Sequence, residues 1–207
     1  LAMLAVGVPS PAEERTFQID SVHSSVQFRI RHLFSMFVGR FNKFEGVIAG
    51  DPSKPETLRV SASVDVTSID TANADREKHL RTPDFFDTER HPMATFVSTG
   101  AKQGDTKDSG TVTGKLTIRG ITKEVTFRGQ FLGSGAGPRG GSVAGFHATT
   151  TINRVDFGVA YGATSTNGPT VLGTDVELIL DLEAVEVKPK PAADGIEAKK
   201  VSEKTEK

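Results

Sequence analysis

Between residues 15 and 187 apolar side chains recur at every second position, run after run, and a period of two commits a chain to strands with one buried face. Val26, Phe28 and Ile30 alternate with Gln27, Arg29 and Arg31. Leu58, Val60, Ala62, Val64 and Val66 alternate with Arg59, Ser61, Ser63, Asp65 and Thr67. Val112, Gly114, Leu116 and Ile118 share one face, as do Ile121, Lys123, Val125 and Phe127; Val176, Leu178, Leu180 and Leu182 share another. Read this way, the chain has about eight strands, near 16–32, 37–49, 57–69, 93–102, 109–119, 122–132, 143–154 and 174–187. Turn residues separate them at Asp51 to Pro55, Gly104 to Gly110, Arg119-Gly120 and Gly133 to Gly141. Gly120 stands between two long strands and predicts a tight antiparallel hairpin.

No βαβ repeat is present, which argues against a parallel sheet. Eight antiparallel strands remove their exposed edges by closing into an up-and-down barrel. A run of about 11 residues gives about 36 Å of strand, hence a barrel about 25–30 Å tall once tilted. That height suits a chain-like apolar ligand better than a sugar or an amino acid. The expected fold is therefore all-β: an eight-stranded antiparallel up-and-down barrel over residues 15–187. Residues 1–14 begin with the apolar run Leu1–Val8, too short to span a bilayer, and read as the tail of a secretory signal or else as a disordered N-terminus. Residues 188–207, rich in Lys, Glu and Pro, read as a solvated, disordered tail.

The balance of charge narrows the function. Lys and Arg number 25 against 26 Asp and Glu, so no basic stripe points to nucleic acid. The same balance gives no sign of electrostatic docking to anionic membranes. No cysteine is present, which excludes disulfides and thiolate zinc sites. Thirteen Phe stand against one Tyr and no Trp, and Phe, unlike those two, needs no polar partner when buried. The interior is therefore greasy throughout.

One segment interrupts the strands. Residues 73–81 read as a short helix, capped by Asn73 or Thr71 and stopped by Pro83. Just beyond it Phe85 and Phe86 adjoin Asp84 and Asp87, with His79 upstream. His79 with Asp84 and Asp87 forms a candidate acid–base group, yet no activated nucleophile and no GxSxG elbow accompanies it. The plainer reading is an insert near 73–86 whose apolar side covers a cavity.

Three further patterns carry possible chemistry. Gly135 to Gly140 spells GxGxxG but links two strands and opens no helix, so it reads as a hairpin loop. The histidines His23, His32, His79, His91 and His147 lack metal-binding spacing. Arg154 and Asp156 are two apart, which on a strand directs both to one face. They are expected to pair with each other or with charges on the insert, or else to grip a ligand head group.

Several ordered stretches resemble the YceI-like family, also described as polyisoprenoid-binding. They are Asp20-Ser-Val-His-Ser24, His32-Leu33, Val38 to Phe41 with Phe44-Glu-Gly46, Ser68 to Asp70, Arg76 to Asp87, Gly114 to Lys123 and Asn153 to Gly158. The resemblance covers roughly residues 15–186. Glu124 departs from it, where the family hairpin often continues Thr-Lys-Pro. The resemblance implies an extended, eight-stranded, lipocalin-like barrel enclosing a long apolar cavity, bacterial export, and binding of isoprenoid or other long-chain amphiphiles; no catalytic residue is carried over. Together with the alternation, it selects a candidate lining of Phe28, Ile30, Phe41, Phe44, Phe96, Leu116, Ile118 and Phe127, with Leu80, Phe85 and Phe86 from the insert. His32, Arg154 and Asp156 are the candidate polar contacts. The expected protein is a non-enzymatic carrier in the periplasm or outside the cell, with no cofactor beyond a bound polyisoprenoid or quinone-like lipid. A homodimer is possible, no metal is implied, and no transmembrane segment is read. The rival readings are a lipid-converting enzyme using His79 and Asp84, and a packed barrel without ligand.

Overall fold

Residues 15–138, 140–162 and 170–187 are described by the structure, a computed structural model. The two terminal segments read from sequence lie outside these residues. The strands are β1 (Thr16–Ile19), β2 (Ser25–His32), β3 (Ser35–Phe41), β4 (Phe44–Ala49), β5 (Arg59–Asp65), β6 (Ile69–Asp70), β7 (Met93–Gln103), β8 (Ser109–Ile118), β9 (Ile121–Ala136), β10 (Ser142–Asn153) and β11 (Leu172–Val187). The helix α1 spans Ala74–Leu80, with the Asn73 side chain accepting from the Arg76 N–H at 2.9 Å as its cap.

Eleven strands form eight staves, because three of the expected runs are each broken once. β1 and β2 both pair antiparallel with β11, β4 and β3 pair with β1 and β2, and β5 and β6 pair with β4 and β3. From β5 the ladder continues through β7, β8, β9 and β10 to β11, which closes the ring. Each stave lies beside its neighbours in sequence, so the barrel runs up and down as the turn signals implied.

Each break switches the parity of the inward positions, from Ile19 to Phe28, from Phe41 to Phe44 and from Val64 to Ile69, so the apolar side chains stay inward across it. Asp20–Ser24 forms a loop opposite Glu183. There Asp20 N–H donates to the Glu183 carbonyl at 2.8 Å, and Glu183 N–H donates to Ser24 Oγ at 2.9 Å. The second break, at Asn42-Lys43, is held by Ser68: its carbonyl accepts from Asn42 N–H at 3.2 Å and its Oγ from Lys43 N–H at 2.9 Å. In the third, the predicted strand 57–69 becomes a 3-10 turn at Val66–Ser68, capped by Asp65 accepting from Thr67 N–H at 2.9 Å.

The predicted hairpin at Gly120 is present. Ile118 pairs with Ile121, and Arg119 (φ 51°) and Gly120 (φ 74°) make the two-residue turn with both residues left-handed. The GxGxxG segment likewise joins antiparallel β9 and β10, with Gly137 N–H donating to the Gly141 carbonyl at 2.9 Å. Its Arg139 lies outside the described residues.

Two phenylalanines lie over glycines inside the barrel. Phe28 faces Gly39 across the β2–β3 ladder, and Phe96 covers Gly114. A Cβ on Gly114 would stand 2.5 Å from both Phe96 Cζ and the Val97 carbonyl oxygen, and the latter is backbone that cannot swing away. Gly114→Ala should therefore destabilise the fold by about 2 kcal/mol, the scale of overpacking a tight interior. Denaturant unfolding measures it; an unchanged midpoint would refute the fit.

Candidate ligand-binding cavity

The alternation that builds the staves points one side chain in two into the barrel, and those side chains do not fill it. At the end that carries α1 lies a chamber of about 450 Å³, and deeper in the barrel a second of about 210 Å³. Phe41, Phe86, Ile118 and Leu178 line both, so these four side chains form the partition. β11 runs along both chambers, from Leu172 in the first to Leu182 in the second. That is about 33 Å of strand at about 3.3 Å per residue, or about 25 Å along the axis at a tilt of about 40°.

The wall between β6 and β7 is not a strand but the insert. Arg81 donates to the Thr67 and Ile69 carbonyls at 2.9 and 3.1 Å, and Arg119 donates to the Phe85 and Gly158 carbonyls at 2.6 and 2.9 Å. Asp70 accepts from Ala72 N–H at 3.0 Å, from Arg40 at 2.9 Å and from Asn42 at 3.2 Å. These bonds, the Ala72 amide first, hold its carboxyl down to about 2. So fastened, the insert turns its rings inward. Phe86 meets Phe41 edge-on at 6.1 Å between centroids, Phe85 lies 4.9 Å from Tyr161, and the Arg76 guanidinium sits 4.2 Å over the Phe37 ring.

Phe28, Ile30, His32, Leu80, Phe85 and Arg154 line the outer chamber; Phe44, Phe96, Leu116 and Phe127 line the inner one; Phe41, Phe86 and Ile118 border both. Asp156 does not reach the cavity. Residues 154–157 form a 3-10 turn and not a strand, so the same-face argument fails; Asp156 is exposed while Arg154 turns inward.

The expected salt bridge at Arg154 is also corrected. Its buried guanidinium donates to the Gly173 and Val159 carbonyls at 2.8 and 2.6 Å and to Leu172 at 3.3 Å, so backbone dipoles and no carboxylate satisfy it. Burial alone lowers its pKa. Sequence reasoning missed Phe37, Arg76, Phe131, Phe146, Phe157 and Tyr161 among the lining. Two of them were within reach: Phe37 stands two before Gly39 on the Phe41 face, and Phe131 extends the Val125, Phe127, Gly129 series.

The proposed acid–base trio does not form. His79 Nε2 meets Asp84 Oδ2 at 3.0 Å, but Asp87 is buried and pairs with Arg90 at 3.4 Å. The His79 ring packs edge-on against Phe85 and Tyr161, at 5.0 and 4.9 Å. Among the described residues, Asp20, His23 and Glu183 bring possible metal-binding atoms within 4.8 Å of one another. They sit on the first stave break, where His23 Nδ1 is bonded to Asp20 Oδ2 at 2.9 Å, a contact that heads the causes of Asp20's lowered pKa. No described helix is long and apolar enough to cross a membrane.

Comparison with known proteins agrees with the geometry. The model of the YceI-like domain matches residues 17–184. A UPF0312 protein of Pectobacterium atrosepticum is 39% identical over 190 residues, covering 91% of this chain and 94% of that one. Another from Pseudomonas aeruginosa is 38% identical over 192 residues, covering 89% and 96%. The Burkholderia cenocepacia BcnA crystal structure superposes with a TM-score of 0.72 at 26% identity, over 81% of this chain and 99% of that one. The Campylobacter jejuni YceI protein gives 0.66 at 30% identity, over 77% and 91%. A polyisoprenoid-binding domain from Saccharophagus degradans gives 0.61 at 16% identity, over 83% and 98%, a likeness of fold.

Two outcomes follow from the anchors. Arg154→Lys cannot reach all three carbonyls and should cost about 2 kcal/mol in denaturant unfolding, through backbone acceptors left buried and unpaired. Asp70 has a folded pKa below its ordinary 3.8, so its contribution is present above about pH 4 and is lost as pH falls toward 2. Asp70→Asn should therefore flatten the fall in thermal midpoint across that window; equal slopes for both proteins would contradict the anchor.

Proposed function

The chain belongs to the YceI-like family, and from that membership we propose that its barrel binds one long-chain isoprenoid or similar amphiphilic lipid without transforming it. The observation that carries the reading is the two-chamber cavity, apolar along its length and bounded by rings from both staves and insert. Its outer chamber alone falls within the usual range for small-molecule sites. Each buried methylene contributes about 0.8 kcal/mol, so a long chain binds tightly with no charged anchor. This suits a site whose buried cation, Arg154, is already occupied by carbonyls. The polyisoprenoid-binding neighbour supports the ligand class, and the apolar run Leu1–Val8 supports a site of action in the bacterial envelope, as carrier, store or shield.

Native mass spectrometry of the purified protein, paired with organic extraction, tests the reading. The expected result is a co-purifying lipid; its absence, together with no uptake of added polyprenol, would overturn it. Within the site, the double variant Phe85→Ala with Phe86→Ala should lose lipid retention by about tenfold or more, since each ring buries substantial apolar area. His79→Ala should change retention less, because its nitrogen is committed to Asp84. Retention that tracks His79 and not the rings would reverse this division of labour.

A further inference from the structure

The β2–β3 hairpin stands past the end of β6, which pairs only with Arg40 and Phe41, so its tip rises beyond the ring at the rim of the outer chamber. At that tip Phe34 is 92% exposed, and outward-facing Met36 and Val38 continue the apolar surface along β3. The tip is not loose. Leu33 adopts φ 48°, a left-handed conformation that a leucine avoids, and its N–H donates to the Val171 carbonyl at 2.8 Å. That bond ties the tip to the cavity wall, because Val171 and His32 both line the outer chamber. Val171 and Tyr161, a second lining residue, also remain half exposed beside the opening.

Charge singles out what would cover this surface. From Ser25 to Phe44 the chain carries Arg29, Arg31, Arg40 and Lys43 and no acidic residue. Arg29 is paired with Glu177 at 2.6 Å, Arg40 with Asp70 at 2.9 Å and Lys43 with Asp65 at 4.0 Å. Arg31, nearest the tip, meets a neutral group, the Leu33 carbonyl at 2.7 Å. An apolar tip with a cation behind it matches a bilayer interface, where the ring enters the acyl boundary and the guanidinium meets phosphate. The near-zero net charge of the whole chain hides this local excess.

We propose that the β2–β3 hairpin docks the outer mouth of the barrel onto an anionic phospholipid bilayer, with Phe34 inserted and Arg31 on a headgroup phosphate. The proposal extends the lipid-binding reading by giving the ligand a route between membrane and cavity. The absence of tryptophan makes the test clean, since Phe34→Trp in the full chain is then a unique reporter. With vesicles of phosphatidylethanolamine and phosphatidylglycerol, its emission should shift to the blue and be quenched by lipids labelled near the headgroup. Adding Arg31→Ser should weaken vesicle binding by about tenfold.

No shift with these vesicles would overturn the proposal. So would a blue shift in buffer alone that grows with protein concentration, which would assign the tip to a second copy of the chain. Equal binding to vesicles of phosphatidylcholine alone would overturn the role given to Arg31. Lipid extraction of the same Phe34→Trp protein separates the two readings. Retained lipid without vesicle binding defeats docking alone; vesicle binding without any co-purifying or acquired lipid supports docking and defeats the carrier reading.

Discussion

Everything in this barrel depends on the seam at which β11 pairs with β1 and β2. A sheet of eight staves left open would expose two edges of unpaired amides and carbonyls. Closure removes both at once. The geometry of closing forces one stave to bend, and the bend is the Asp20–Ser24 break, where Ser24 Oγ and the Asp20 amide bond both polar backbone groups of Glu183. The ladder from β10 to β11 keeps one register, and β11 pairs with both halves of the first stave, with an irregularity between Leu172 and Val176. A closed ring of this size, with inward phenylalanines spaced by glycines, leaves a hollow interior.

The hollow keeps its shape because the insert is held by backbone carbonyls more than by ion pairs. Arg81, Arg119 and Arg154 each span from one segment to carbonyls of another, using the planar fork of donors that lysine lacks. These cations act as struts at the cavity's outer end, and the rings they position, Phe85, Phe86 and Tyr161, supply the apolar wall. The segment richest in titratable groups is therefore a piece of wall. Glu77 on its helix is engaged too: it accepts from the Thr71 amide, the chief cause of its lowered pKa.

Much of this was legible in the sequence, for a physical reason. Burial on one face of a strand writes itself as a period of two, so Phe28, Phe96, Leu116 and Phe127 could be directed inward without a structure. The helix cap at Asn73 and the turn at Arg119-Gly120 are equally local. What could not be read depends on through-space closure. Each of the three stave breaks shifts the inward positions from one parity to the other, from Ile19 to Val26, from Phe41 to Phe44 and from Val64 to Ile69. A slip of one between short runs does not by itself tell a strand end from a bulge. Asp156 was misplaced because a single 3-10 turn at Arg154–Phe157 cancels the strand parity on which its orientation was argued. Phe157 enters the cavity from that turn and Tyr161 from the loop after it, where no period exists to find them.

The strand order carries a consequence for how the molecule assembles. Every stave after the first pairs with the stave just made, so most ladders close short loops, and the entropy of loop closure rises only slowly with length. The seam is different: it joins Thr16 to Val187, nearly the full described span. The longest loop in the molecule is thus the one on which the enclosure depends, and until it forms the future cavity is a curved sheet with its apolar face open to water. Assembly has its greatest exposure, and its greatest hazard of mispairing, at the last step.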